Sequence, residues 1–427
     1  MVRKIYTAAV VGIDAALVEV EADITNGLPA TIIVGLPDTA VQESRERVRS
    51  AIKHSEFSYP QTRVSINLAP GGVPKIGTHY DVPIALAILL ASGLIKGECG
   101  NKLFVGELSL DGAVRSSRGI LAMVLAAKYA GFSEVYVPAD NAAEAVMVSG
   151  VVVYAVHTLK DLLRHIMGTA LLPETLRVSR ESSRVKSEVD FKNVAGQQLA
   201  KRALEIAAAG NHNIRMVGPP GSGKTMLAKA FAGILPPLEE SESLELTKIY
   251  SIAGMLRTHN VMSSRPVRCP HHTTSAIALI GGGALPRPGE VTLAHNGVLF
   301  LDEFPEFARS VLEVLRQPLE DGVVTVSRAK NTFTFPAKFI LVAAQNPCPC
   351  GNFGDPLLSC ACAPGEKQKY NKKISGPLLD RIDLHIVVPR LQYNEIMQSD
   401  EAESSSKVYG RVMAARKKQT NRFGLCK

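Results

Sequence analysis

The sequence contains no run of apolar residues long enough to cross a bilayer. The longest run, Val82 to Ala91, falls well short of the ~20 residues that a membrane-spanning helix needs, and we expect it to form a buried helix. The first residues briefly resemble a signal peptide, but Asp14 interrupts them, and Val18 to Asp23 then alternate as a strand does. These patterns argue against both export and membrane insertion.

Cysteine is scarce and unevenly placed. The 427 residues include seven cysteines, and four of them fall between Cys348 and Cys362. This is not the spacing of a secreted disulfide framework, so we predict a cytoplasmic protein with reduced thiols.

The composition indicates a folded protein of more than one domain. Hydrophobic residues make up 46% of the chain and charged residues 21%, and the length predicts two or three domains. The formal net charge of +8 is compatible with a polyanionic partner such as nucleic acid, or with a solvated surface and no such partner.

Sequence patterns divide the chain into four segments and predict an α/β protein. Residues 1–172 alternate strands, such as Arg63 to Leu68, with helices, such as one that Asp38 caps. Residues 173–189 are polar and rich in serine and arginine, which is typical of a linker. A second α/β unit with a parallel sheet is predicted over 190–392, followed by a helical segment over 393–427.

A glycine-rich segment lies between a predicted strand and a predicted helix. It begins at Gly218 and ends at Thr225, and it matches G-x-x-x-x-G-K-[ST] in full. Backbone N–H groups of such a loop surround phosphate, its lysine reaches the β- and γ-phosphates, and its hydroxyl holds Mg²⁺. The alternative is a glycine-rich turn without a ligand. The predicted ATP-binding residues are Gly218, Pro219, Pro220, Gly221, Ser222, Gly223, Lys224 and Thr225.

Two acids follow an apolar strand further along the chain. Val298 to Leu301 is typical of a buried parallel strand, and Asp302 and Glu303 stand at its carboxyl end, where α/β sheets bind ligands. We predict that Asp302 holds Mg²⁺ and that Glu303 polarises the attacking water as a general base.

A third strand, beginning at Phe339, ends at Asn346. We predict that Asn346 orients the water or senses the γ-phosphate, although an asparagine before Pro347 could simply form a turn.

A later arginine, Arg381, has two interpretations. It could be an arginine finger that reaches the γ-phosphate of a neighbouring subunit, so that hydrolysis depends on a ring. The alternative is a local ion pair with Asp380 or Asp383.

The clustered cysteines form two close pairs across a glycine-containing loop. Cys348, Cys350, Cys360 and Cys362 could supply four thiolates to a structural zinc ion, or they could be reduced loop cysteines. Four thiolates leave no open coordination position, which argues against a catalytic metal.

Several longer segments point to one family. In the first segment of the chain they are Asn26-Gly-Leu-Pro-Ala, Val34-Gly-Leu-Pro-Asp, Glu43-Ser-Arg-Glu-Arg-Val-Arg and Asn67-Leu-Ala-Pro. In the second α/β unit they are Arg268-Cys-Pro-His-His-Thr, Gly281-Gly-Gly-Ala-Leu-Pro-Arg-Pro-Gly-Glu, Leu293-Ala-His-Asn-Gly and Gln345-Asn-Pro-Cys-Pro-Cys-Gly. Over essentially its whole length the chain resembles the ComM/YifB proteins, which are magnesium-chelatase-like AAA+ ATPases.

The resemblance implies a homo-hexameric ring with a Lon-protease-like domain before the AAA+ motor. In that likeness the serine nucleophile of Lon falls on His79 and the lysine of its dyad near Leu121, so peptidase activity is not expected. Thr78 is a conceivable substitute nucleophile but lacks the lysine. The family also continues beyond the end of this chain into a helical lid, so 393–427 is expected to be an incomplete lid and turnover to be slow.

The resemblance further implies a β-hairpin in the ring pore. Val323 to Phe335 fits a hairpin, and Arg328 and Lys330 near its tip are expected to contact DNA phosphates or, alternatively, to be an exposed charged turn. A basic insert over 254–290 could also contact DNA.

Three functions follow from these patterns and from the resemblance. The first, which the resemblance implies, is a motor that uses ATP and Mg²⁺ to act on single-stranded or branched DNA, as a helicase or branch-migration factor linked to recombination and natural transformation. The second is a chelatase-type ATPase that remodels a protein or metal-insertion partner. The third, an energy-dependent protease, is disfavoured by His79 and Leu121.

Overall fold

The computed structural model describes residues 4–177, 187–256, 261–283, 286–327, 332–392 and 403–424. The chain forms two compact units, one comprising Met1–Arg180 and Thr247–Met262 and the other Glu181–Leu246 and Ser263–Lys427. None of the helices in the described ranges has the length and apolar character that a membrane crossing requires.

The first unit is built on a mixed sheet. Its strands are β1 Lys4–Val11, β2 Asp14–Thr25, β3 Ala30–Val34, β4 Arg63–Ala69, β5 Lys102–Phe104, β6 Glu107–Leu108, β7 Val114–Arg115, β8 Glu134–Pro138 and β9 Val152–Val156. Seven of them form one sheet in the order β3-β4-β2-β1-β5-β8-β9. The pairs β1–β2 and β2–β4 are antiparallel and the other pairs are parallel.

The helices of this unit bury the residues that the sequence patterns single out. They are α1 Thr39–His54, α2 Asp81–Ala91, α3 Ile120–Tyr129, α4 Ala142–Ala145 and α5 Leu159–Ile166. The apolar run is confirmed as a buried helix, since every residue of α2 before Ala91 is buried. Asp38 caps α1 by accepting from the backbone N of Val41 at 2.8 Å, also as predicted.

The second unit contains the predicted parallel sheet. Its strands are β10 Ile214–Val217, β11 Val267–Arg268, β12 Gly281–Gly282, β13 Arg287–Pro288, β14 Val298–Leu301, β15 Val323–Ser327, β16 Thr332–Pro336, β17 Ile340–Gln345 and β18 Leu384–Val387. The main sheet has the order β11-β14-β17-β10-β18, and all four of its pairings are parallel. The carboxyl ends of β10, β14 and β17 therefore lie side by side at one edge.

Helices cover this sheet and complete the unit. They are α6 Gln198–Gly210, α7 Lys224–Ala232, α9 Ala276–Ile280, α10 Glu290–Leu293, α11 Arg309–Glu313, α12 Arg316–Asp321, α13 Pro364–Asn371, α14 Gly376–Leu379 and a C-terminal helix Ser405–Gly424, while α8 Glu240–Ala253 contributes residues to both units. The core contains Ile214 and Met216 of β10, Phe231 of α7, and Val342 and Ala344 of β17. This packing fixes the strand ends that carry the candidate site.

Candidate nucleotide-binding site

The glycine-rich loop connects the end of β10 to the start of α7, as the motif predicts. Gly221 and Gly223 have φ angles of 76° and 91°, which favour glycine because a Cβ is strained there. A Cβ at Gly218 would collide with the backbone oxygen of Val388, so this position needs glycine for space. The loop opens onto the N-terminus of α7, where free N–H groups bind anions.

Lys224 turns back over the loop that precedes it. Its Nζ donates to the carbonyl oxygens of Gly218 at 2.7 Å and Pro219 at 2.8 Å, and it lies 3.4 Å from Oδ1 of Asn346. Burial lowers the pKa of the Lys224 ammonium, and the nearby Asp302 carboxylate opposes that shift. The ammonium is therefore a desolvated donor at the point where the loop can surround a phosphate.

Thr225 and Asp302 meet across the site. The Thr225 hydroxyl donates to Oδ2 of Asp302 at 2.8 Å, and Oδ1 of Asp302 accepts from the backbone N of Glu303 at 2.9 Å. A hydroxyl beside a carboxylate is a donor set that suits Mg²⁺, which prefers oxygen ligands. The residues present thus fit the predicted metal.

Glu303 contacts a residue that the sequence motifs do not connect with it. Its Oε2 lies 3.3 Å from Nδ1 of His272, and its backbone is left-handed with a φ angle of 51°. His272 belongs to the basic insert over 254–290 that is predicted to contact DNA, and no spacing rule relates it to the acids. The double histidine in Arg268-Cys-Pro-His-His-Thr was the available signal.

Two arginines of that insert, Arg265 and Arg268, are held by carboxylates. Arg265 forms two hydrogen bonds to Glu242, at 3.0 and 2.7 Å, and Arg268 forms two to Glu290, at 2.6 and 2.8 Å. Bidentate pairs of this kind fix the guanidinium groups in place.

Asn346 lies at the end of β17, beside Lys224 as described above. The preceding residue, Gln345, is buried and accepts from Nε of Arg215 at 2.9 Å, which ties β17 to β10. The structure therefore brings the motif lysine and the predicted sensor together at the same sheet edge.

Arg381 follows α14 and pairs within its own chain. Its guanidinium binds the carboxylate of Glu320 and donates to the carbonyl oxygen of Pro377 at 2.7 Å. The ion pair within the chain is therefore with Glu320 and not with Asp380 or Asp383, the alternatives that the sequence offered. Asp383 instead accepts from the backbone N of Asn213 at 2.7 Å. The action of Arg381 on a neighbouring subunit stays a prediction.

The predicted hairpin is confirmed. Strands β15 and β16 pair antiparallel from Val323 opposite Pro336 to Ser327 opposite Thr332. The predicted DNA contacts Arg328 and Lys330 lie between these strands, outside the described residues.

The four clustered cysteines converge. The Sγ atoms of Cys348 and Cys350 are 3.4 Å apart, and each lies 3.7 Å from that of Cys360. The Sγ atoms of these three and of Cys362 all lie within 4.8 Å of one another. Four thiolates at Zn–S distances of about 2.3 Å stand about 3.8 Å apart in a tetrahedron, so the arrangement fits one zinc ion.

In the first unit, the two positions predicted to correspond to the Lon dyad are buried. His79 is buried with its Nε2 2.9 Å from the carbonyl oxygen of Ala8, and Leu121 is fully buried. Thr78 donates to the carboxylate of Glu107. The hydroxyl of Thr78 therefore has a carboxylate as its partner, and a leucine stands in place of the dyad lysine. The basic amine that such a nucleophile needs is missing at that position.

Two family models match the chain. The model described as magnesium chelatase, subunit ChlI, matches residues 190–396, and that described as subunit ChlI of Mg-chelatase matches residues 20–141. The first match contains all the nucleotide-site residues described above.

Curated proteins match over almost the whole chain. An uncharacterized protein of Mycobacterium tuberculosis is 46% identical, with 98% of this chain and 83% of that protein covered. The competence protein ComM of Haemophilus influenzae is 42% identical over 98% of this chain and 83% of its own length. The uncharacterized protein YifB of Escherichia coli is 41% identical over 98% and 82%.

Proposed function

The chain belongs to the ComM/YifB family of magnesium-chelatase-like AAA+ ATPases, and from that premise we propose that it couples ATP hydrolysis to movement on single-stranded or branched DNA. One observation carries the ATPase part: the Lys224 ammonium, the Thr225–Asp302 pair and Asn346 meet where parallel strands end. The proposed movement on DNA is supported by the β15–β16 hairpin and by the formal net charge of +8 of the chain.

Binding of the nucleotide follows from the contacts of the loop. Phosphate oxygens of ATP can replace the two carbonyls that now accept from Lys224, and loop N–H groups supply further donors. Thr225 and Asp302 would hold Mg²⁺, which offsets phosphate charge when bound.

Hydrolysis needs a base and an oriented water. Glu303, at the strand end beside Asp302, accepts the proton of the attacking water, a role usually worth about 10²–10⁴ in rate. Asn346 orients that water or senses the γ-phosphate. Arg381 of a neighbouring subunit completes the site in a hexameric ring, where such a finger contributes roughly 10³–10⁵ in rate.

DNA contact is assigned to the hairpin. Arg328 and Lys330 bind backbone phosphates, so the affinity is independent of base sequence and weakens with salt. Since a family relative is named a competence protein, we place this activity in recombination of DNA taken up by the cell.

A second function is favoured by one specific observation. Both matching family models describe a magnesium chelatase subunit. In this alternative the same ATPase cycle remodels a protein partner during metal insertion, and DNA has no effect on it.

The cofactors of the proposal are ATP with Mg²⁺ and a structural zinc ion. The convergence of four cysteine Sγ atoms within 4.8 Å supports the zinc ion.

ATPase assays with and without forked DNA separate the two functions. We expect DNA to stimulate the wild-type rate, Lys224→Ala to abolish ATP binding, and the double variant Arg328→Ala, Lys330→Ala to keep its basal rate but lose stimulation. For this double variant, the slope of log binding constant against log salt concentration should become shallower by the amount expected for the loss of about two phosphate contacts.

A matched control removes two positive charges elsewhere in the second unit, Lys192→Ala with Lys372→Ala, both exposed. It should respond to DNA as the wild type does. A wild-type rate that DNA leaves unchanged, with normal DNA binding by the hairpin variant, would exclude the DNA motor and favour the chelatase-type function.

A further inference from the structure

The cysteine-containing loop touches the phosphate-binding loop. Gly351, between Cys350 and Cys360, has a φ angle of 84°, and a Cβ there would lie 2.6 Å from Cδ and 2.7 Å from Cγ of Pro220. Real Cβ atoms do not approach other atoms so closely, so this glycine allows the cysteine-containing loop to pack directly against the ring of Pro220.

An ion pair makes a second link between the same loops. The fully buried side chain of Asp355 lies 2.9 Å from Nε of Arg390, and Nη2 of Arg390 lies 3.4 Å from the carbonyl oxygen of Pro220. Oδ1 of Asp355 also accepts from the backbone N of Leu357 at 2.8 Å, which fixes the carboxylate within the loop. A buried, fixed carboxylate thus holds the arginine against Pro220.

The chain itself makes a third link. Cys348 stands two residues after Asn346, and Asn346 lies 3.4 Å from the ammonium of Lys224. Any constraint on the position of Cys348 therefore also limits the freedom of Asn346 beside the motif lysine.

From these three links we infer that a zinc ion fixes the four-cysteine loop, and that the fixed loop holds the phosphate-binding loop in place. We call this supporting role of the zinc-bound loop the strut; because of it, ATP affinity depends on zinc. The inference rests on the proposed ATPase function. The loop from Cys348 to Cys362 has no strand or helix of its own to keep its shape. A tetrahedrally coordinated zinc ion would join the two ends of this loop. The joined loop would then keep Gly351 and the Asp355–Arg390 pair in contact with Pro220 of the phosphate-binding loop.

The sulfur geometry selects a single ion over other uses of four cysteines. The Sγ separations among Cys348, Cys350 and Cys360, 3.4 to 3.7 Å, are far from the roughly 2.05 Å of a disulfide. An iron–sulfur cluster sets its iron and sulfide ions between the cysteines and holds them farther apart than one ion does. One Zn²⁺ per chain is the expected content.

Zinc removal is the first test. The metal content of the purified full chain is measured, and ATP affinity is then determined by calorimetry before zinc is stripped, after it is stripped, and after Zn²⁺ alone is added back. We expect one zinc per chain, roughly a tenfold loss of ATP affinity on stripping, and recovery on addition.

Two glycine variants provide a test that leaves all four ligands in place. Gly351 and Gly354 have similar φ angles of 84° and 80°, so alanine strains the backbone equally at both. No described residue comes within 4 Å of a Cβ placed at Gly354, whereas Gly351 meets Pro220. Gly351→Ala should keep zinc and lose about tenfold in ATP affinity, while Gly354→Ala keeps both. Asp355→Asn should behave like Gly351→Ala.

The outcomes separate the strut from the ATPase function. A wild-type chain that contains no zinc and binds none, or one whose ATP affinity is the same with and without zinc, would overturn the strut and leave the ATPase function intact. Equal ATP affinities for Gly351→Ala and Gly354→Ala would also overturn it. A zinc-loaded chain that does not bind ATP would overturn the ATPase function and the strut together.

Discussion

The imidazole of His272 lies against the carboxylate of Glu303, with 3.3 Å between Nδ1 and Oε2. Two other rings lie near it, that of His271 at 4.0 Å between centroids and that of Phe307 at 6.5 Å in a perpendicular arrangement. Since the Glu303 carboxylate is more than half exposed, contact with a packed ring limits the directions in which it can point. We therefore expect His272 to position the proposed general base.

Replacing His272 with alanine should lower kcat about fivefold and leave the Kd for ATP within a factor of two, because the freed carboxylate spends less time in the productive orientation. Rates at saturating ATP and calorimetric affinities measure the two effects separately. His271→Ala is the control, since its Nδ1 lies 3.0 Å from Oγ1 of Thr273 and not beside the base. Equal losses of kcat in both variants would contradict the positioning role.

Glu303→Gln separates chemistry from binding. The amide keeps the shape of the side chain but cannot accept the proton, so kcat should fall by at least ~100-fold while ATP still binds. Lys224→Ala should show the opposite pattern, with loss of ATP binding itself. Single-turnover hydrolysis and calorimetry on the full chain measure both quantities, and wild-type turnover by Glu303→Gln would remove Glu303 from the mechanism.

Local patterns predicted what depends on local structure. The apolar run that forms α2, the cap at Asp38 and the β15–β16 hairpin all follow from spacing within one element. The nucleotide loop was predictable for the same reason, because strand, glycines, lysine and helix are contiguous in the chain.

Contacts between distant segments were not predictable. Arg381 pairs with Glu320, 61 positions away, although Asp380 and Asp383 are its neighbours in sequence. The insert that carries His272 returns to Glu303 only because β11 pairs with β14. Such contacts are set by how helices and strands pack, and no spacing within a motif encodes them.

The arginine-finger prediction can be tested by mixing two inactive proteins. A subunit with Arg381→Ala keeps its own Glu303, and a subunit with Glu303→Gln keeps its Arg381. If the finger acts on the neighbouring site, mixed rings contain complete sites, and mixing should restore a clear fraction of the wild-type ATPase rate.

The control mixes Lys224→Ala with Glu303→Gln, for which every site stays defective. Recovery in neither mixture would limit Arg381 to the ion pair with Glu320 seen within one chain.

The stability of the first unit should depend on pH through His79. Burial lowers the pKa of His79 to about 4, partly opposed by its hydrogen bond to the carbonyl of Ala8 and the charge of Asp38. In the unfolded chain the pKa is about 6.5, so the unfolded state takes up the proton first as the pH falls. Stability is therefore complete above about pH 6.5 and is lost progressively toward pH 4, by about 2 kcal/mol at pH 5.

A second buried group acts in the opposite direction. Burial raises the pKa of Asp81 to about 6 despite its ion pair with Arg47, so its protonation in the folded state favours folding as the pH falls below 6.

The effect of His79 must therefore be read as a difference between wild type and His79→Gln, whose amide can still donate to Ala8. Hydrogen exchange of the α2 amides in the intact chain reports opening of this unit. Between pH 7 and pH 5 the wild type should lose about 2 kcal/mol more than His79→Gln, and an equal loss in both would mean that His79 does not titrate as a buried neutral base.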